Sequence, residues 1–199
     1  MSASVSVAVS VAPPDRSYGE ERTYPSASIV KVSILAALLQ QERPLTARER
    51  SLARAMIVRS DNDAASVLWE TIGGAAGLDA AHGRLGLTGT WAESAWGLTR
   101  TTARDQLTLM RAVFGGRYPY LCSLMEQVVD GQNWGVSAAG GEWALKNGWM
   151  PMRDTGLWVV HSVGRAGGRP IAVLSDGHPT KEAGIARVEE AVRAAVSSC

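Results

Sequence analysis

A serine and a lysine lie close together in one apolar segment of the sequence, "YPSASIVKVSILAALL". Ser28 and Lys31 are three residues apart, so a helix would carry both side chains on one face. The start of a helix has unpaired N–H groups and the positive end of the helix dipole, which favour an alkoxide or a developing oxyanion. A neutral Lys31 amine would be able to take the Ser28 proton if burial or a positive neighbour lowered its pKa. The spacing is compatible with a nucleophile and its base. Taken alone, however, a serine and a lysine at this spacing are more often a helix-capping residue and a lysine that extends to the surface.

Two further motifs carry side chains of matching chemistry. In "MIVRSDNDAASVLWE", Ser60 would relay a proton and Asn62 would hold a ligand or Lys31, although Ser-Asp-Asn is also good helix-capping chemistry. In "WALKNGWM", Lys146 stands in a predicted strand, and Gly148 indicates the close approach of another segment. An exposed lysine that protects a sheet edge would look the same. The chain has only three lysines, and two of them fall in these motifs.

The composition excludes several classes of function. The 199-residue chain has a net charge of +1 and no block of like charges, which argues against a nucleic-acid partner. No apolar run reaches the ~20 residues of a membrane span, and the three histidines lack the spacing of metal ligands. Cys122 and Cys199 are isolated, so we expect free thiols rather than a disulfide. Three of the seven tryptophans, Trp96, Trp134 and Trp149, would line an apolar pocket.

The elements that must position these motifs are strands at both ends of the chain and helices between them. Alternating valines predict a strand at residues 4–12 rather than a signal peptide, then a turn at "APPD" and a short antiparallel strand. Helical patterns follow from Ser28 to Gln41 and in further segments up to residue 129. "WALKNGW", "GLWVVHSVGRA" and "RPIAVLSDG" indicate strands, and residues 180–196 a last helix. Localisation stays open: cytoplasmic for the chain as given, extracytoplasmic if an export signal was removed.

This order of elements predicts one domain, residues 1–199, of the α/β class with two lobes. The strands in residues 1–27 and 141–199 are expected to form one antiparallel sheet flanked by helices. Residues 28–140 would form a helical insert lobe, with a ligand site in the cleft between the lobes. We expect a monomer that needs no cofactor or metal and acts on a small molecule or a peptide.

The motifs Ser-x-x-Lys, Ser-Asp-Asn and Lys-x-Gly, in this order, make the chain resemble the penicilloyl-serine transferase superfamily. That superfamily contains the class A β-lactamases and the penicillin-binding DD-peptidases, and the resemblance runs from the first strand to the final helix. It implies that Ser28 is a nucleophile that forms an acyl-enzyme, and that Lys31 is its base, directly or through water. It also implies that Ser60, helped by Lys146, delivers a proton to the leaving group.

The resemblance further implies a substrate site along the late strand. The backbone N–H groups of Ser28 and Trp149 would form the oxyanion hole, where one well-aimed donor is worth about 3 kcal/mol. Asn62 would contact the amide side chain of the substrate. Asn147, Gly148 and Trp149 would bind the rest of it.

Three departures from the superfamily pattern bear on the reaction. The stretch between Lys31 and Ser60 is short for a class A enzyme. Lys-Asn-Gly replaces the usual Lys-Thr-Gly or Lys-Ser-Gly, so the Asn147 amide, with a different reach, would have to bind a substrate carboxylate. The segment "LTGTWAESAWGLTRTTARD" replaces the omega loop and lacks Glu-x-x-x-Asn, so Glu93 is either the deacylation base or a surface residue. Without that base an acyl-enzyme would persist in water, and an added amine or other nucleophile would take the acyl group.

These residues predict a serine acyl-enzyme hydrolase or acyltransferase that acts on an amide or an ester. A true β-lactamase is disfavoured by the altered omega region, and a DD-carboxypeptidase by Asn147 and the missing export signal. A DD-carboxypeptidase or a weak β-lactamase stays as an alternative. A biosynthetic acyltransferase for small molecules would use the same serine. A catalytically silent binding module with this fold is the alternative outside the enzymes, and the intact set of Ser28, Lys31, Ser60 and Lys146 argues against it.

Overall fold

The structure is a computed structural model that describes residues 6–11, 16–19 and 22–197. Its main sheet has five antiparallel strands in the order β2-β1-β7-β6-β5. The predicted antiparallel sheet of N- and C-terminal strands is therefore confirmed. A separate two-stranded ladder pairs β3 with β4. The seven strands are β1 Ser6–Val11, β2 Arg16–Gly19, β3 Tyr24–Pro25, β4 Arg100–Thr101, β5 Trp143–Pro151, β6 Trp158–Ala166 and β7 Arg169–His178. The turn predicted at residues 12–15 and Cys199 lie outside the described residues.

Helices occupy the middle of the described chain and its C-terminal end, as the hydrophobic patterns predict. The first one opens with a 3-10 turn, Ala27–Ile29, and is α-helical from Val30 to Leu39, so it is shorter than predicted at both ends. The α-helices are α1 Val30–Leu39, α2 Ala47–Val58, α3 Asn62–Thr71, α4 Gly74–Leu85, α5 Ala103–Ala112, α6 Pro119–Met125 and α7 Lys181–Ser197. Single turns of 3-10 or π type cover Trp96–Leu98, Val113–Arg117 and Val136–Ala139. None of the helices in the described ranges has the length and hydropathy of a membrane span.

Helix α1 is buried on every side because it is apolar all round. Its residues from Val30 to Leu38 are all buried, and only Lys31 and Ser33 among them are polar. A helix without a polar face belongs in a protein interior, and α1 forms part of the larger hydrophobic cluster. Between positions 24 and 38 the one residue that is not buried is Ser28. The core therefore fixes α1 in place and leaves Ser28 partly exposed at its start.

The main sheet buries its two faces in two different clusters. One face packs against the helices through four aliphatic side chains, those of Ala144, Val163, Ala172 and Leu174. The other face is covered by α7 and by the segment around Trp134. That segment lies before residue 140, in the part of the chain predicted to form the helical lobe, but it packs on the sheet. Alternation along β5 puts Lys146 and Gly148 on the helix-facing side. Asn147 and Trp149 are on the α7 side.

Candidate active site

Two residues at the candidate site have a strained backbone. Three non-glycine residues in the described chain have a positive φ, namely Ala27 at 47°, Glu42 at 53° and Ser60 at 57°. Side chains other than glycine seldom adopt this left-handed conformation, because Cβ crowds the following carbonyl. Ala27 directly precedes Ser28, and Ser60 is the predicted proton relay. The contacts around these two residues must therefore hold the strained conformation in place.

The Lys31 amine joins the two serines that the sequence singles out. Its Nζ lies 3.1 Å from Ser28 Oγ and 3.1 Å from Ser60 Oγ. It also donates to the Ser60 carbonyl oxygen at 2.7 Å and to Asn62 Oδ1 at 2.7 Å. These two shorter contacts are to atoms that only accept, so they take two N–H groups. A neutral Lys31 amine then directs its lone pair at the hydroxyls, as a base for Ser28 requires.

The Ser60 hydroxyl bridges two lysine amines. Lys146 Nζ, on β5, lies 2.9 Å from the same Ser60 Oγ that Lys31 contacts. Asp61, not Ser60, caps α3, since its side chain accepts the Ala64 N–H at 2.8 Å. The Ser60 hydroxyl is thus left to face the amines. Three separate segments, α1, the entrance to α3 and β5, meet at this point.

Burial lowers the pKa of both amines. Loss of solvation lowers the pKa of Lys31 from 10.5 to about 8, although the charge of Asp61 opposes this shift. Lys146 is 0% exposed, and its burial, together with the charge of Lys31, holds its pKa well below 10.5. Within the described ranges, hydroxyl, carbonyl and amide oxygens are the hydrogen-bond partners of both amines, and no carboxylate is among them. A substantial fraction of Lys31 is therefore neutral near pH 8.

The missing side chain of Gly148 lets β5 touch the turn that carries Ser28. A Cβ built on Gly148 would lie 2.8 Å from the Ile29 nitrogen, 2.9 Å from the Ser28 nitrogen and 3.0 Å from the Ser26 oxygen. Cβ atoms essentially never approach backbone atoms this closely, so any other residue would push strand and turn apart. The close approach that the sequence indicates at Gly148 is confirmed. Its partner is the turn at residues 26–29, which carries Ser28 and is called the nucleophile turn after the role predicted for that serine. The Ser28 N–H consequently lies against the part of β5 that continues into Trp149.

A buried histidine supports the same turn from β6. His161 pairs with Gly148 across the two strands, and its Nε2–H donates to the Pro25 carbonyl at 2.8 Å. Its Nδ1 accepts the Ser175 N–H at 3.1 Å, and His178 Nε2 extends the network to Ser175 Oγ at 2.9 Å. Burial lowers the pKa of His161 from 6.5 to about 4, so the ring is neutral near pH 7. The sequence excludes the three histidines only as metal ligands, and a titratable residue in the largely apolar run "WVVHSV" is the signal that singles out His161.

Asn147 does not join the other predicted site residues. Both N–H groups of its amide donate to backbone carbonyls, those of Gln132 at 2.8 Å and Trp134 at 3.0 Å, and the residue is 1% exposed. No N–H of this side chain is left for a substrate carboxylate, so Asn147 instead fastens the segment around Trp134 to β5. The Trp149 ring lies on the same side, 5.9 Å from the Trp134 ring and 4.2 Å from Lys181 Nζ. Of Trp149, only the backbone faces the nucleophile turn.

The α4–α5 loop (residues 86–102) borders Lys31 with an indole. The centre of the Trp96 ring is 4.9 Å from Lys31 Nζ, and its N–H donates to Ser66 Oγ at 3.2 Å. Trp96 is therefore separate from the two tryptophans with which the sequence groups it. Glu93 is exposed, and its carboxylate accepts the Trp91 indole N–H at 3.2 Å. Glu93 therefore occupies a surface position, the second of the two possibilities that the sequence leaves for it.

The arrangement forms one continuous chain of proton-transfer groups, from Ser28 through Lys31 and Ser60 to Lys146. Such a chain can accept a proton at one end while a hydroxyl nearby delivers one to a leaving group. The described residues contain no group of three or more His, Cys, Asp or Glu side chains placed to hold a metal ion. The structure thus brings together Ser28, Lys31, Ser60, Asn62 and Lys146, and leaves Asn147 and Glu93 apart.

Comparison with protein families gives one match over more than half of the chain. The model of the beta-lactamase enzyme family matches residues 42–165. The matched region contains the motifs of Ser60 and Lys146 and begins after Ser28. No curated protein sequence matches the chain.

Solved structures with the same fold include β-lactamases. A β-lactamase from Sphaerobacter thermophilus has 19% identity and a TM-score of 0.77, over 98% of this chain and 91% of the other. A β-lactamase from Chitinophaga pinensis has 20% identity and a TM-score of 0.74, over 96% and 93%. The protein PBP-A has 20% identity and a TM-score of 0.76, over 98% and 89%. At these identities the likeness shows the fold, and the predicted fold class is confirmed.

Proposed function

Because the chain belongs to the β-lactamase enzyme family, we propose that it is a serine acyltransferase or hydrolase in which Ser28 takes the acyl group of an amide or ester. The observation that carries this proposal is the position of Lys31 Nζ, 3.1 Å from both Ser28 Oγ and Ser60 Oγ. Covalent catalysis needs a nucleophile within hydrogen-bond reach of a base that other groups hold in place. Family and fold support a β-lactamase-like serine hydrolase in general, and the residue roles below extend that statement.

In the acylation step, Ser28 Oγ attacks the carbonyl carbon and its proton passes to the neutral Lys31 amine. The N–H groups of Ser28 and Trp149 donate to the oxyanion that forms. As the tetrahedral intermediate collapses, the leaving atom takes a proton from Ser60 Oγ, and protonated Lys31 replaces it. Lys146 donates to Ser60 Oγ while that oxygen is short of a proton. The step releases the leaving group with the proton that Ser28 lost.

Asn62 has a double role in this proposal. Its Oδ1 accepts from Lys31 Nζ at 2.7 Å, which orients the base. The residue is also exposed, which supports a contact between its NH₂ group and a substrate amide. Asn147 has no part in substrate binding here, because both of its N–H groups are bonded within the chain.

The second half-reaction delivers the acyl group to an acceptor. In the described chain the only candidate carboxylate of the α4–α5 loop, that of Glu93, is exposed and bonded to Trp91. This favours an acceptor more nucleophilic than water, such as an amine. An acyltransferase is therefore the preferred form of the proposal. A β-lactamase or a carboxypeptidase would instead pass the acyl group to water.

Covalent labelling tests the proposal directly. The protein is incubated with a fluorescent penicillin and, separately, with a fluorophosphonate, and intact-mass spectrometry counts the adducts. We expect one adduct per wild-type chain and none on Ser28→Ala. Ser33→Ala, the matched control on the same buried helix, should label like wild type. Absence of any adduct on wild type would support the silent binding module instead. An adduct that survives in Ser28→Ala would show that another residue is labelled and would contradict the role of Ser28.

Nitrocefin distinguishes the forms of the enzyme. A burst of about one equivalent without further turnover is expected when acylation is fast and water is a poor acceptor. Addition of an amine should then restore turnover and give an amide product. Steady hydrolysis without an added amine would instead identify a β-lactamase.

A further inference from the structure

Trp96 is the aromatic neighbour of the Lys31 amine and is held in place at two points. Its ring centre lies 4.9 Å from Nζ, whose hydrogen-bond partners in the described chain are all oxygen atoms. The indole N–H donates to Ser66 Oγ, on α3, at 3.2 Å. At the end of the same turn, the Thr99 carbonyl accepts the Ser26 N–H at 2.8 Å. These contacts tie the ring to α3, which Ser60 precedes, and to the nucleophile turn, which carries Ser28.

An indole ring beside an amine has two opposing effects on its charge. The ring face attracts an ammonium, but only weakly where the site is partly exposed. The ring also displaces water, and loss of solvation disfavours the charged form. Burial is the larger influence on Lys31, because its pKa falls to about 8 even though Asp61 is nearby. The ring is one of the groups around Lys31, so removing it should raise the pKa of Lys31 if its desolvating effect exceeds its attraction for the ammonium.

The same ring affects the fate of an ester on Ser28. A water molecule that hydrolyses the ester must lose a proton to a base beside it. Among the described residues, Glu93 is bonded to Trp91 and His161 to Pro25, whereas Lys31 Nζ lies 3.1 Å from Ser28 Oγ and is a base within reach of such a water. An indole face takes no proton, and the volume that it fills holds no water.

We propose that Trp96 is a positioning residue that screens the Lys31 amine and the Ser28 ester from water, and so sets the lifetime of the acyl-enzyme. This inference rests on the proposed function, since the ester forms on Ser28. A screened ester survives until an amine acceptor arrives. The amine nitrogen then attacks the acyl carbon, the bond from that carbon to Ser28 Oγ breaks, and the amine proton reaches Ser28 Oγ through Lys31.

The lifetime of the acyl-enzyme is the first readout. Wild type, Trp96→Ala and Trp96→Phe are labelled with a β-lactam, freed of excess reagent and followed by intact-mass spectrometry. We expect Trp96→Ala to shorten the lifetime by about tenfold, since water then enters the site, and Trp96→Phe to retain most of it. Trp91→Ala is the matched control, because Trp91 is in the same loop and 44% exposed. The acyl-enzyme of this variant should live as long as that of wild type.

Lysine NMR is the second readout and needs no acylation. The chain has three lysines, so their ¹³Cε signals can be resolved, and Lys181→Met helps to assign them. In wild type, the Trp96 ring current should shift the Lys31 signal, and its titration midpoint should lie near the pKa of about 8. In Trp96→Ala the ring-current shift should vanish and the pKa of Lys31 should rise toward 10.5.

The two readouts separate failure of this inference from failure of the proposed function. A wild-type chain that no probe acylates overturns the proposed function and, with it, the role of Trp96 in ester lifetime. A chain that is acylated but whose lifetime does not change in Trp96→Ala overturns the screening role alone. An unchanged Lys31 titration in that variant contradicts the effect of the ring on the amine.

Discussion

The serine–lysine side of the candidate site (Ser28, Lys31, Ser60 and Lys146) and the α4–α5 loop beside it differ in chemistry. On the serine–lysine side, hydroxyls and amines follow one another at 2.9–3.1 Å. On the loop side, Lys31 meets an indole ring at 4.9 Å, and the loop carboxylate points to the surface. The supporting structure differs too, since the first side is built on a buried helix and strand, whereas the loop exposes Trp91 and Leu98.

This difference separates the two halves of the proposed reaction. Forming the acyl-enzyme requires a nucleophile, a base and a proton donor, and the serine–lysine side contains a residue for each of these roles. Releasing the acyl group by water requires a further base at the ester, and the loop presents an aromatic ring where that base would act. Substitutions on the serine–lysine side should therefore stop acylation. Substitutions in the loop should chiefly change how long the ester survives, and Trp96→Ala should also slow acylation to the extent that it raises the pKa of Lys31.

The largest effect is expected from removing an amine on the serine–lysine side. Lys146→Met keeps most of the side-chain volume but loses the N–H that donates to Ser60 Oγ. We expect acylation by a fluorescent penicillin to slow by about 100- to 10,000-fold, the usual contribution of proton transfer. Thermal stability should change little, because burial already disfavours the charge of this amine and an apolar side chain of similar volume replaces it. Labelling time courses and thermal melts measure the two effects.

Lys181→Met is the matched control for this experiment. Lys181 also lies on an indole, 4.2 Å from the centre of the Trp149 ring, but it stands on the other side of the sheet. We expect acylation to stay within about twofold of wild type and stability to fall by about 0.5–1 kcal/mol, the usual size of such a contact. Equal acylation rates for Lys146→Met and Lys181→Met would show that the Lys146 amine has no specific part in acylation.

Sequence patterns were sufficient where the determinant of structure is local. The alternation of valines predicts β1, and the all-round apolar character of the segment after Ser28 predicts the buried helix α1. The motif residues converge because each stands at the start of a helix or on the helix-facing side of β5. The need for Gly148 was also readable, although its partner was not, since the contact with Ser26 spans most of the chain.

Three features of the site depend on contacts that no local pattern encodes. Alternation in β5 indicates the side on which Asn147 lies, but the carbonyls that its amide meets there depend on the position of the segment around Trp134. The contact of Trp96 with Lys31 depends on the path of an irregular loop, which has no period to read. His161 bonds to Pro25, and these residues are 136 positions apart. Sequence motifs indicate which residues have the chemistry for catalysis. Long-range packing determines which of these side chains come into contact.

An intermediate effect is expected from acid, through the histidine that supports the serine–lysine side. The pKa of His161 is about 4 in the folded chain and near 6.5 when unfolded. The neutral ring therefore contributes fully above pH 6.5, and its contribution is lost as the pH falls from 6.5 to 4, because only the unfolded chain gains a proton there. This shift corresponds to roughly 3 kcal/mol of unfolding free energy. Urea unfolding at pH 7.5 and 4.5 measures the loss.

The variant His161→Gln separates the contribution of His161 to the pH dependence of stability from the contributions of the other two histidines. Burial also lowers the pKa of His82 and His178, so they contribute to the pH dependence in the same direction. We expect His161→Gln to be less stable than wild type at pH 7.5 and to approach it at pH 4.5. If the unfolding free energies of the two proteins changed with pH in parallel, His161 would titrate normally. The prediction that its buried ring is neutral would then be wrong.

The smallest effect is expected from Glu93→Gln in the loop. The carboxylate of Glu93 is bonded to Trp91 at the surface, and glutamine keeps an oxygen that accepts the same N–H. In the proposed mechanism no proton transfer at the ester depends on this group, so the acyl-enzyme lifetime should stay within about twofold of wild type. Loss of a working base would instead lengthen it by about 100-fold or more. Together with Trp96→Ala, this variant tests the loop at two positions: the ring should control the lifetime and the carboxylate should not. A long-lived ester in Glu93→Gln would return Glu93 to the role of deacylation base, and the loop would then have to move to bring it to Ser28.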